Sequence, residues 1–107
     1  MLKRISAEDR VDTERSHEEL LEMLRALSDE TRQRIIRQCF SGKEVCVNDI
    51  AKQFTLSRPT ISHHLNLMKR AKLLRSRKEG KEVYYSVNKD YIVSVLESFL
   101  NTLKNCC

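Results

Sequence analysis

A chain of 107 residues with 40% apolar and 33% charged side chains has room for one ordinary domain, and only two glycines and one proline make helix the expected main element. No apolar run approaches a membrane span and the N-terminus, MLKRISAEDR, lacks the apolar core of a secretion signal, so the expected setting is the cytoplasm, with no membrane partner. The four cysteines are then expected to be reduced unless they hold metal or sense redox state. The net charge of +5 is modest but uneven: the 29 residues from Ile50 to Lys78 carry eight Lys or Arg and no Asp or Glu, a local field suited to a polyanion.

Residues 1–15 read as a flexible charged leader, ahead of a domain spanning 16–105 and a cysteine-bearing tail, 106–107. Ser16-His17-Glu18-Glu19 has the spacing of a capping box, and Leu20, Leu24 and Leu27 repeat on one face, which predicts a first helix near 17–27. Ser28 or Asp29 can cap a second helix, SDETRQRIIRQCF, burying Ile35, Ile36, Cys39 and Phe40 and ending at Ser41-Gly42. Val45 and Val47 suggest a very short strand, and Asn48 the cap of a short third helix, NDIAKQF. Thr55-Leu56-Ser57 is a turn into LSRPTISHHLNLMKR, where Ser57 serves as N-cap and Pro59 sits in the first turn, where its missing N–H costs little. Ile61, Leu65 and Met68 face the core at i, i+4, i+7, leaving Arg58, Thr60, Ser62 and His63 outward.

The period then changes to two. Val83, Tyr85 and Val87 alternate with polar or edge positions and Glu79-Gly80-Lys81 sits at a turn, predicting a ribbon of Leu74–Lys78 and Glu82–Val87. The last segment carries Tyr91, Ile92, Val95, Leu96, Phe99, Leu100 and Leu103, an apolar band wider than one small core covers. Such a band seeks a second subunit, so a homodimer built from Leu20, Leu24, Ile92, Val95, Leu96, Phe99, Leu100 and Leu103 is expected.

Two helices joined by a short turn, the second free of carboxylates, then a basic hairpin, describe a mostly α winged helix-turn-helix. The first turn of a helix ordinarily favours Asp or Glu; here a carboxylate would meet phosphates and base edges in a major groove and be repelled. Ser57, Arg58, Thr60, Ser62, His63 and Lys69 are the expected groove residues, and Arg77, Lys78 and Lys81 the wing's phosphate contacts on double-stranded operator DNA. Ser62-His63-His64 is not read as catalytic: adjacent histidines do not share a helix face, and no acid in the segment orients an imidazole. His64 reads instead as a core or cap residue. A protein-interaction module using its last helix is the alternative of another class, but it has no need of the acid-free stretch.

LRALSDETRQRII, VNDIAKQFTLSRPTISHHLNLMKRAKLL and RKEGKEVYYSVN resemble the ArsR/SmtB family of winged-helix repressors, over about residues 17–105. The resemblance implies a homodimer held by its first and last helices, bound to operator DNA and released when a metal, metalloid or thiol-reactive signal occupies a sensor site. The family's usual Ala-Gly after the recognition helix is Ala71-Lys72 here, which implies a lysine at positive φ at a cost of about 1 kcal/mol if the cap is retained.

The family's sensor sites are only partly present. Glu44-Val45-Cys46-Val47-Asn48-Asp49 resembles the metalloid box, but Asn48 and Ala51 replace two of its thiols. At the second family site Asp90 remains, while Ile92, Leu103 and Cys106 stand at the other positions, so zinc loses its imidazoles. Cys39 reads as a core residue. Cys46 with Cys106 and Cys107 is the expected sensor, three soft thiolates suited to As(III) or another soft metal ion as effector; DNA binding itself needs no cofactor. Redox or persulfide sensing, or no sensing through cysteine, are the alternatives.

Overall fold

The computed structural model describes the backbone of residues 7–106 and the side chains of residues 17–106; Cys107 lies outside the described residues. In chain order the elements are α1 (Ala7–Leu27), α2 (Glu30–Gln38), β1 (Val45–Cys46), α3 (Val47–Ala51), α4 (Arg58–Arg70), β2 (Leu74–Glu79), β3 (Glu82–Val87) and α5 (Lys89–Lys104). The first helix starts at Ala7 rather than near 17, so much of the expected leader is helical and Ser16 lies inside the helix, not at its cap. Residues 7–27 contain no Gly or Pro to interrupt a helix. That continuity outweighs the capping-box spacing.

Asp29, not Ser28, caps α2: its Oδ1 accepts the Arg32 N–H at 3.0 Å. Ile35, Ile36 and Cys39 are buried as expected, but Phe40 is 63% exposed. The helix ends at Gln38, and the N–H groups of Cys39 and Phe40 bond to Ile36 and Arg37, three residues back, which turns Phe40 off the buried stripe.

The hairpin forms almost as expected, with Glu79 paired to Glu82 and a two-residue loop of Gly80-Lys81. Gly80 has φ +61 while Lys81 keeps a negative φ, the pattern of a II′ turn that only glycine enters without strain. β1 adds a third antiparallel strand, in the order β1-β3-β2, with Val45 opposite Tyr85 and Cys46 opposite Tyr84. Val47 is not in this strand; it begins α3, whose N-cap is Cys46, so Asn48 is a first-turn residue and not the cap.

The core joins Met23 and Ala26 of α1, Ile35 and Ile36 of α2, Ile50, the α4 face Ile61, Leu65 and Met68, then Leu73, Leu74 and Tyr85. α5 packs back along α1. That contact places Leu20 (8% exposed) and Val95 (6%) in the core of the protomer, a correction to their expected place in a dimer interface; Ile92 is half-buried against the same core. Leu24, Leu96, Phe99, Leu100 and Leu103 remain exposed, joined by Leu21 and Val93.

α4 ends in a Schellman closure. The Leu73 N–H reaches the Met68 carbonyl at 2.9 Å, the Lys72 N–H reaches that of Lys69 at 3.0 Å, and Lys72 takes φ +63. The lysine expected at positive φ is there.

Candidate nucleic-acid interface

The start of α4 is set by its own residues. Ser57 Oγ accepts the Thr60 N–H at 3.4 Å and stands 2.8 Å from Thr60 Oγ1, so both hydroxyls belong to the cap, and Pro59 presets the first turn. No acid lies in that turn, and Lys69 and Arg70 fill the last one. With Ile61, Leu65 and Met68 inside, Arg58, His63, Asn66, Lys69 and Arg70 are exposed and Ser62 is half-buried. His63, Asn66, Lys69 and Arg70 line a shallow cleft of about 570 Å³ along the outer face. His64 points the other way, its Nδ1 3.2 Å from Arg32 Nη1; the same guanidinium also donates to the Ala26 and Arg25 carbonyls at the end of α1.

In the wing, Lys78 and Lys81 are exposed and take part in no ion pair among the described residues. Arg77 differs from the expectation. Its Nε bonds Glu44 at 3.2 and 2.9 Å, its Nη1 bonds Glu79 at 2.8 Å, and its guanidinium lies 5.1 Å from the Tyr84 ring centre. Its hydrogen bonds to Glu44 and then to Glu79 raise its pKa further. The outer face of the sheet thus occupies this charge, because register sets Arg77 opposite Tyr84 and Tyr84 opposite Cys46, so the guanidinium reaches across β3 to Glu44 at the start of β1.

The cysteines stand apart. Cys39 is buried, which pushes its thiol pKa up; Cys46 is half-buried and Cys106 exposed. Cys46 Sγ donates to Glu82 Oε2 at 2.9 Å, not to another sulfur. Among the described residues no three His, Cys, Asp or Glu side chains converge as a metal site, and Cys46 and Cys106 are both free thiols.

Residues 29–76 match the model of bacterial regulatory proteins of the arsR family. The chain is 36% identical over 83 residues to the transcriptional repressor SdpR of Bacillus subtilis, covering 78% of this chain and 87% of that one. The chain belongs to the arsR family. It is 31% identical over 94 residues to the arsenical resistance operon repressor of Staphylococcus aureus, covering 86% of this chain and 89% of the other. Among solved structures it resembles the homodimeric winged helix-turn-helix domain of Mb0332 from Mycobacterium bovis, with a TM-score of 0.67 at 18% identity over 100% of this chain and 94% of that one. The likeness to that domain is one of fold.

As an arsR-family protein the chain is a DNA-binding transcriptional repressor, and its relatives are transcriptional regulators. The exposed polar face of α4 extends beyond its first turn. Asn66 and Arg70 follow His63 at i+3 and i+7, a helical spacing legible in the sequence. The meeting of Glu82 with Asn48 and Cys46 carries no sequence signal, since it depends on the β1–β3 pairing.

Proposed function

We propose that this arsR-family repressor acts as a homodimer on a specific double-stranded operator in the cytoplasm and leaves it when a thiol-reactive effector is captured. The observation that carries the DNA reading is the exposed face of α4, where Arg58, His63, Asn66, Lys69 and Arg70 stand without a carboxylate among them. Arg58, Thr60, Ser62 and His63 serve base edges or nearby phosphates, Ser57 the helix start, and Lys69, Lys78 and Lys81 the backbone. Leu24, Leu96, Phe99, Leu100 and Leu103 form the exposed apolar surface for a second copy. A two-fold axis there would set two α4 helices about 34 Å apart in successive major grooves, requiring an imperfect palindrome. Among the described residues no helix is long and apolar enough to cross a membrane.

The effector class follows from soft thiols and from likeness to an arsenical resistance repressor. The described residues of one protomer do not themselves fit As(III) or a metal ion, because the neighbour of Cys46 is a carboxylate; that reading requires the C-terminal cysteines, Cys106 and Cys107, to be delivered to Cys46. A persulfide or oxidant needs only single thiols, and the carboxylate that Cys46 bonds in place of a sulfur favours it as the second reading. Anisotropy titration of the reduced protein on promoter and random duplexes tests the DNA assignment: equal affinity for both sinks it. Adding As(III), Zn(II) or a persulfide donor to the bound complex then identifies the effector by which one releases DNA.

A further inference from the structure

Four side chains from four elements form one hydrogen-bonded chain that ends at the recognition helix. Cys46 Sγ of β1 donates to Glu82 Oε2 of β3 at 2.9 Å, and Asn48 Nδ2 of α3 donates to the same oxygen at 3.1 Å. Arg58 Nη1, at the first residue of α4, donates to Asn48 Oδ1. Cys46, Asn48 and Glu82 are half-buried, while Arg58 is exposed.

The residue types suit the order. A carboxylate only accepts and a guanidinium only donates, so an amide between them is held one way round, NH₂ toward Glu82 and oxygen toward Arg58. Arg58 uses one of its five donors on Asn48, leaving the rest of the fork for a base edge or phosphate. A long side chain that would otherwise be ordered only on binding is ordered in the free protein.

We infer that Glu82 and Asn48 are positioning residues for DNA recognition, setting Arg58 in its reading geometry, and that the Cys46 thiol is the remote end of this linkage. The inference rests on the reading of Arg58 as a DNA contact. It gives effector capture a physical route to the operator: a soft ion that displaces the Cys46 proton to solvent, or a persulfide donor that transfers its outer sulfur to Sγ and leaves as a thiol, takes the hydrogen off Sγ that Glu82 accepts, and Glu82 is what orients Asn48.

The test is a double-mutant cycle on the operator-to-random affinity ratio of the full-length protein at one salt concentration. The ratio is the proper readout, because Glu82→Ala removes a negative charge and strengthens binding to any duplex. Asn48→Ala and Glu82→Ala, which remove the amide and its acceptor, are expected to lower the ratio about 2- to 10-fold, the range for ordering one long side chain. In an Arg58→Ala background neither should lower it further. Cys46→Ser, which keeps a donor, should stay within about 2-fold of wild type, and Cys46→Ala should follow Glu82→Ala. Equal losses in the Arg58 and Arg58→Ala backgrounds overturn the inference, since they report a general effect on the fold. If Arg58→Ala lowers the ratio but Asn48→Ala does not, the linkage fails and the DNA role of Arg58 stands. An unchanged ratio in Arg58→Ala refutes both. Wild-type behaviour of Cys46→Ala removes the thiol from the linkage.

Discussion

Arg77 and Glu44, 33 positions apart, are joined in a fork, with Nε 3.2 Å from Oε1 and 2.9 Å from Oε2. β1 brings Glu44 to the outer face of the wing, so the most basic-looking position of the hairpin is already neutralised. Lys78 and Lys81 near the tip, by contrast, are exposed and in no ion pair among the described residues.

The salt dependence of DNA binding should divide along that line. Lys78→Ala with Lys81→Ala is expected to weaken operator and random duplex alike and to flatten the slope of log K against log salt by about 1–2, near 0.9 per phosphate lost. Glu44→Gln should act oppositely, strengthening binding to all duplexes by releasing Arg77. A Glu44→Gln protein weaker than wild type on random DNA would show that Arg77 serves DNA only from its paired position.

The apolar stripe of α5 serves two purposes, and substitutions should separate them. Leu96→Glu or Phe99→Glu, on the exposed face, should give folded monomers in sedimentation and lose tight operator binding. Val95→Ala, on the buried face, should cost about 2 kcal/mol in denaturant unfolding. A wild-type protein that sediments as a monomer at micromolar concentration contradicts the first expectation.

Asp29 ties α2 stability to pH. Its carboxyl is held below the ordinary value chiefly by the hydrogen bond from the Arg32 N–H, with partial burial opposing and the charge of Arg32 assisting. A lowered folded-state pKa stabilises fully above the unfolded value of about 3.9 and is lost as pH falls through the lower folded value. Asp29→Ala should therefore cost about 1 kcal/mol at neutral pH, and the gap to wild type should narrow below about pH 4. A gap that is constant with pH in urea titrations would show that the carboxylate charge is irrelevant.

Lys72 holds a left-handed conformation at the end of the recognition helix, with its carbonyl bonded by Asn88 Nδ2 at 3.0 Å. Lys72→Gly removes the Cβ strain, worth about 1 kcal/mol, and loses a cation–π contact to Tyr91 at 5.4 Å, worth about 0.5 kcal/mol. A net gain of about 0.5 kcal/mol in unfolding free energy is expected; a net loss would mean the Tyr91 contact outweighs the strain.

Thiol reactivity should follow exposure and pairing. Cys106 should react first, Cys46 more slowly, and Cys39 only on unfolding, because burial both blocks it and raises its pKa. Alkylation followed by peptide mass mapping reads the order, and native-state labelling of Cys39 as fast as Cys46 would refute it.

What could be read in the sequence was local. Ser57 and Pro59 announce α4, the spacing of Ile61, Leu65 and Met68 assigns its inner face, and Gly80 marks the hairpin loop, whereas the positive φ at Lys72 followed only from the family resemblance. Each of the first three depends on neighbours within about two helical turns, where backbone geometry alone relates residue type to position. Tertiary contact decided the remainder. Val95 and Leu96 are adjacent and equally apolar, and only the packing of α5 on α1 puts one inside and leaves the other out. Arg77 looked like a phosphate ligand until β1 brought Glu44 to it, and Cys46 looked like part of a thiolate box until β3 set Glu82 at 2.9 Å. These partners lie more than 30 positions apart, and their meeting is fixed by strand register, which sequence periodicity leaves open when β1 is only two residues long.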